Sequence, residues 1–176
     1  VMLRYLEKII ETDLAVSPFE LVSAEKSYTR NLDISSGDTS LKIQMGGKID
    51  RVDRVRDLLR VIDYKTGNAR QGFQDVESLF DGGISNRNGA AMQTLFYAWL
   101  VAGEHAGEAV LPGLYVMKAL YGDNFDPALT MGSFRNKQRI DSFSEYEEEF
   151  LSLLKEVLAR MFNPDLLFLI QSPEIL

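Results

Sequence analysis

A chain of 176 residues with 45% hydrophobic and 26% charged side chains has the mass for one packed core and is no disordered polyelectrolyte. A formal charge of −7 excludes a protein that coats nucleic acid through bulk positive charge, and the absence of Cys excludes disulfides and thiolate metal sites. No apolar run approaches the roughly 18–20 residues that span a bilayer, and no secretory leader pattern opens the chain. The expectation is a cytoplasmic domain with no membrane partner. Val rather than Met stands first and helical sequence begins at once, so residues 1–176 read as a single domain from a larger protein.

Residues 2–12 place Leu3, Leu6, Ile9 and Ile10 at helical spacing, with charged side chains elsewhere on the wheel. Ser17-Pro18 breaks that pattern. Residues 19–34, 41–55 and 58–65 read as three strands, the first two joined by the polar turn SSGDT. Residues 66–88 form a loop rich in Gly, Asn and Asp. Residues 89–102 are apolar nearly all round and predict a buried helix ending at Gly103. Residues 109–119 read as a buried strand whose Pro112 marks an edge or a bulge. Ser144 and Glu147 have capping-box spacing and predict a helix over 144–161. The order helix, three strands, helix, strand, helix is an α/β arrangement whose sheet starts antiparallel.

The stretch GGKIDRVDRV (46–55) followed by RVIDYKTG (60–67) puts acids and a lysine inside strand-like sequence. A tight turn at Arg56-Asp57, an unfavoured dipeptide there, makes paired positions sum to 113, so Asp50 faces Asp63. Cross-strand Cβ atoms lie about 4.5–5.5 Å apart, and like charges so placed repel more as the dielectric falls. A hard divalent cation offsets that repulsion. Strand period two puts Lys65 on the same face as Asp63. Two acids and a lysine so grouped fit phosphodiester hydrolysis, with the lysine stabilising developing negative charge. A surface ion-pair ladder is the bland alternative, and it is the commoner fate of an isolated D-x-K. Between Lys48 and Arg70 seven bases stand against four acids, a local basic excess in an acidic chain.

These residues resemble the PD-(D/E)XK nuclease superfamily, in particular its RecB-like branch of helicase-associated nucleases. The likeness runs over residues 19–99 and more loosely beyond. G-x-I-D-R-x-D matches 47–53, D-x-K-T-G matches 63–67, and Q-x-x-x-Y matches Gln93 and Tyr97. The resemblance implies a restriction-endonuclease-like core, a central mixed β-sheet flanked by helices. It implies Mg²⁺ or Mn²⁺ held by Asp50, Asp63 and the backbone carbonyl of Tyr64, with Lys65 catalytic. It also implies Glu25, in SAEKSY, as the acid of the preceding strand. Gln93 and Tyr97, at i and i+4, would support the site or touch phosphate, or else form a buried polar pair. Arg51, Arg54 and Thr66 complete the expected substrate contacts. Met92, Leu95, Phe96, Trp99 and Leu100 read as core.

Two parts of the family pattern do not occur in this sequence; either they lie outside it or the protein lacks them. No His precedes the strands, and the lone His105, in GEHAGE, reads as a surface residue. FLIQSPE (168–174) is similar to sequence before the cluster-binding cysteines of some relatives, but no Cys follows. No G-x-x-x-x-G-K-[ST] loop occurs, so a helicase motor would lie outside this sequence. The leading expectation is a Mg²⁺-dependent deoxyribonuclease, an exonuclease serving DNA repair or recombination beside a helicase partner. An RNA or branched-DNA nuclease is the rival of the same class. An inactive nuclease-like scaffold for DNA or a partner is the alternative of another class, and a carbohydrate- or small-molecule-binding domain predicts no metal dependence.

Overall fold

The computed structural model describes residues 2–163 apart from 37–38, 84–86, 123–124 and 134; the FLIQSPE stretch lies outside them. Helix α1 (Met2–Ala15) leads into β1 (Glu20–Ser36) and β2 (Thr39–Val55), a long antiparallel hairpin, and β3 (Leu58–Lys65) returns along β2. A two-residue strand, β4 (Gly72–Phe73), and a single 3₁₀ turn at Glu77–Leu79 interrupt the loop predicted over 66–88. Helix α2 (Gly89–Glu104) then crosses to β5 (Ala109–Val116), which pairs with β3 in parallel. The central sheet is mixed, in the order β1-β2-β3-β5. Short strands β6 (Thr130–Met131) and β7 (Gln138–Arg139) join β4 in a small second sheet, and α3 (Glu147–Met161) follows. This is the expected mixed sheet flanked by helices.

Strand alternation sorts the side chains onto two faces. On the front, Leu59 and Val61 of β3 and Val52 of β2 pack with Leu95, Trp99 and Leu100 of α2 and Phe150, Leu154 and Leu158 of α3. On the back, Ile62 and Tyr64 pack with Tyr115 of β5 and with Tyr5 and Ile9 of α1. Helix α2 is buried on several sides, as its composition predicts, and each fully buried Leu such as Leu95 or Leu100 adds about 1.5–3 kcal/mol. Pro112 sits in the edge strand β5, where a missing ladder donor costs least.

Three expectations need correction. The inward face of α1 is Tyr5, Ile9 and Asp13: of the predicted stripe Ile9 faces in, while Leu3, Leu6 and Ile10 are exposed, as is Leu14. Hydrophobic spacing marked the helix, but the sheet's back offers polar partners, so a tyrosine and an aspartate dock there. Ser144 does not cap α3: a 3₁₀ turn over Phe143–Glu145 absorbs it, its backbone N–H bonding Ser142, and α3 starts after Tyr146 with no side-chain cap. Helix α2 passes through Gly103 and ends at Glu104, with the N–H of His105 still donating to Val101.

Candidate active site

The hairpin register carries the site. Val52 pairs with Val61, Asp53 with Arg60 and Val55 with Leu58, all with positions summing to 113. Arg56 makes this turn with φ +55, a left-handed conformation costing a non-glycine residue about 1–2 kcal/mol. The ladder stops at Arg51–Ile62, and one more step in the same register sets Asp50 opposite Asp63. There the N–H of Tyr64 donates to Asp50 Oδ2 at 2.9 Å.

Asp63 is only 3% exposed. Burial pushes its carboxyl pKa up, the Lys65 ammonium pulls it back, and the charge of Asp50 raises it further. Lys65 Nζ stands 2.7 Å from Asp63 Oδ2, an ion pair by distance. It lies off the direction of a hydrogen bond, however, and that buried oxygen has no hydrogen-bond partner. The pair is therefore electrostatic, and the oxygen keeps an unused lone pair. An orphaned buried carboxylate oxygen beside a second carboxylate is what a hard cation takes up, so Asp50 and Asp63 fit a divalent metal. Among the described residues no group of three or more His, Cys, Asp or Glu side chains converges as a metal cage. Any remaining ligands would be backbone oxygens, such as the Tyr64 carbonyl, and water.

Helix α2 orients the lysine. Lys65 Nζ donates to Gln93 Oε1 at 2.7 Å, and Gln93 Nε2 donates to the Tyr97 hydroxyl at 2.8 Å. A Cβ on Gly47 would lie 2.6 Å from Tyr97 Cε1, so glycine is needed where the Tyr97 ring crosses β2. Lys65 also opens onto a groove of about 830 Å³ lined by Asn68, Arg70, Arg87 and Lys118. A second groove of about 1160 Å³ shares Arg70 and Arg87 and continues to Lys137 and Arg139.

Other expected residues lie apart. The Glu25 side chain is 65% exposed and pairs with Lys48 at 2.5 Å; its φ is +51, at an irregular stretch of β1 bridged by Ser23 Oγ and the Tyr28 hydroxyl 2.8 Å apart. Thr66 is exposed just past Lys65. Arg54 is held by Glu20 at 3.1 Å and Glu108 at 2.5 Å. His105 pairs with Glu108 at 3.1 Å. Arg51 is buried on the back face, where the structure assembles a network that sequence reasoning missed. Its Nη1 donates to Asp13 Oδ2 at 2.6 Å and to the Tyr64 hydroxyl at 3.2 Å, and its Nη2 lies 2.5 Å from Asp53 Oδ2. Burial opposes its ionisation, but bonds to Asp13 and Tyr64 outweigh that and leave its pKa raised. Arg60 grips Asp53 with two bonds, of 2.6 and 2.9 Å. The Tyr115 hydroxyl donates to Asp13 Oδ1 at 2.9 Å. The signal was available: strand parity separates Arg51 from Asp50, and the 113 register pairs Asp53 with Arg60.

The profile of the PD-(D/E)XK nuclease superfamily matches residues 1–169. No curated protein matches the chain. A solved structure titled "Crystal structure of SSO0001" aligns over 92% of this chain and 59% of that chain, at 16% identity and a TM-score of 0.33.

Proposed function

Because the chain belongs to the PD-(D/E)XK nuclease superfamily, we propose that it is a metal-dependent deoxyribonuclease whose centre is Asp50, Asp63 and Lys65. The observation that carries this reading is the buried Asp63 oxygen without a hydrogen-bond partner, set across the hairpin from Asp50 and beside Lys65. Asp50, Asp63 and the Tyr64 carbonyl would hold Mg²⁺ or Mn²⁺. A cation bound there would lower the pKa of water and draw charge from the phosphate. In the reaction a water oxygen forms a bond to phosphorus, one phosphorus–sugar oxygen bond breaks, and the leaving oxygen ends protonated. Lys65, steadied by Gln93 and Tyr97, stabilises the negative charge that grows on the phosphate.

The grooves that run from Lys65 past Arg87 and Lys118 are the proposed DNA path. Thr66, exposed between Lys65 and Gly67, is a further proposed substrate contact. Glu25 would have to release Lys48 to join the metal site. Exonucleolytic action beside a helicase partner, in repair or recombination, is the cellular role we propose. The two-acid site, neutralised in part by Lys65, also fits a scaffold that binds DNA without cutting it.

Degradation of end-labelled linear DNA with Mg²⁺ or Mn²⁺ separates the two, run beside the Lys65→Ala protein. We expect wild-type cleavage to vanish on chelation, and Lys65→Ala to keep Mn²⁺ affinity while losing about 10²–10³ in turnover, the usual loss for one charge-stabilising group. DNA binding by the wild type without cleavage, with either metal, would establish the scaffold instead.

A further inference from the structure

Tyr64 is the residue through which the two faces of the sheet meet. Its backbone N–H serves the front, holding Asp50 Oδ2 at 2.9 Å. Its side chain is anchored on the back, where the hydroxyl accepts from Arg51 at 3.2 Å and the ring stands edge-on to Tyr115, centroids 5.4 Å apart. Arg51 and Tyr115 in turn both bond Asp13, one to each carboxylate oxygen, at 2.6 and 2.9 Å. Asp13 is the last inward residue of α1, on the same face as Tyr5 and Ile9.

We propose that Asp13 and the Tyr64 hydroxyl are positioning residues for the front carboxylates, so that the seating of α1 on the back of the sheet sets the affinity of the Asp50–Asp63 pair for a divalent cation. This inference rests on the cation site proposed above. The physical reason is geometric. The direction of the Tyr64 N–H follows its peptide plane, which the β5 ladder holds along the far edge of β3 and the clamped ring and hydroxyl hold from the back. The β1 ladder brackets the Asp50 backbone through Ala24–Arg51 and Lys26–Ile49, but on the β3 side the ladder has ended, and there the Tyr64 N–H is the group that holds the Asp50 carboxylate. Loosening the clamp lets Asp50 wander, and a cation gains only from carboxylates held at the right separation. Partners one shell beyond metal ligands act in this way, and their loss typically lowers metal affinity about 10–100-fold.

The test is Mn²⁺ binding, followed by isothermal titration without DNA, for the wild type, Asp13→Asn, Asp13→Glu and Tyr64→Phe. All are measured at a temperature where circular dichroism shows each protein folded. Tyr64→Phe removes one hydroxyl and keeps the ring, so it stands even if Asp13→Asn fails to fold. The expected result is about a tenfold loss of affinity in Tyr64→Phe, a similar loss in Asp13→Asn, and partial recovery in Asp13→Glu. A merely structural network would lower the melting temperature and leave Mn²⁺ affinity alone; unchanged affinity in Tyr64→Phe, with a wild type that binds, overturns the inference. A wild type that binds no Mn²⁺ overturns the cation site itself and takes the inference with it.

Discussion

The front and back of the β2–β3 hairpin each bury an aspartate: Asp63 on the front at 3% exposure, Asp53 on the back at 0%. Their surroundings are opposite. Asp53 meets two guanidinium groups, and both of its oxygens are bonded by Arg60. Asp63 has one ammonium out of line, a second carboxylate nearby, and an oxygen without a hydrogen bond. The back face pairs each buried charge with an opposite one, although Arg51 Nε and Nη2 lack hydrogen bonds of their own, Nη2 lying 2.5 Å from Asp53 Oδ2. The front keeps a cost that the fold does not need, because burial works against the charged form of Asp63. Such uncompensated burial concentrates at functional sites, where stability is given up for chemistry.

The sharpest way to break this contrast is to remove one charge from each face. Asp53→Asn leaves Arg51 and Arg60 buried beside a neutral amide, and breaking a buried pair of this kind costs about 3–5 kcal/mol. At about 2–4 °C per kcal/mol for a domain of this size, the melting temperature should fall by roughly 6–20 °C. Asp63→Asn should leave the melting temperature unchanged or raise it while abolishing Mn²⁺ binding and cleavage. Paired thermal melts check both. If Asp63→Asn destabilises as much as Asp53→Asn, the two faces do not differ in the way described.

Much of this contrast was legible in the sequence through one number, the register of the hairpin. Strand-like sequence flanks both acids, and the 113 register that a tight turn at Arg56-Asp57 implies, which the ladder follows, sets Asp50 opposite Asp63. The same register holds the Asp53–Arg60 pair, and parity puts Arg51 on the far side from Asp50, although basic residues near an acidic motif also suit a phosphate-bearing substrate. What parity could not supply was Asp13. Its partners come from β2 and β5, far along the chain, and α1 docks with Tyr5 and Ile9 while more apolar Leu residues stay in solvent. The irregular backbone at Glu25 was equally hidden, since no local pattern announces a positive φ at a glutamate.

A smaller effect sharpens the front face. Gly47→Ala places a methyl group 2.6 Å from Tyr97 Cε1, and the ring must move to admit it. Overpacking of this kind costs about 1–3 kcal/mol. Tyr97 accepts from Gln93, and Gln93 accepts from Lys65, so the displacement should reach the lysine. We expect turnover to fall while Mn²⁺ affinity holds, because neither carboxylate contacts α2 directly among the hydrogen bonds of the site. Cleavage rates at saturating DNA, set beside Mn²⁺ titration, measure the split; equal losses in both would tie Tyr97 to the metal pair rather than to Lys65.

The smallest effects separate cations that face a groove from cations already paired. Arg87 and Lys118 line the groove that begins at Lys65, whereas Arg54 lies between Glu20 and Glu108, whose two negative charges outweigh its single positive one. A cation that neutralises a phosphate displaces a counterion, so its removal lowers the slope of log affinity against log salt by about 0.7–0.9. Arg87→Ala and Lys118→Ala should each do so for a labelled oligonucleotide in EDTA, where cleavage is blocked. Arg54→Ala should leave the slope where it was, and losing its exposed ion pairs should change stability little. Should the slope fall only in Arg54→Ala, the strand crosses the sheet by way of Arg54 instead, and the groove beside Lys65 is not its path.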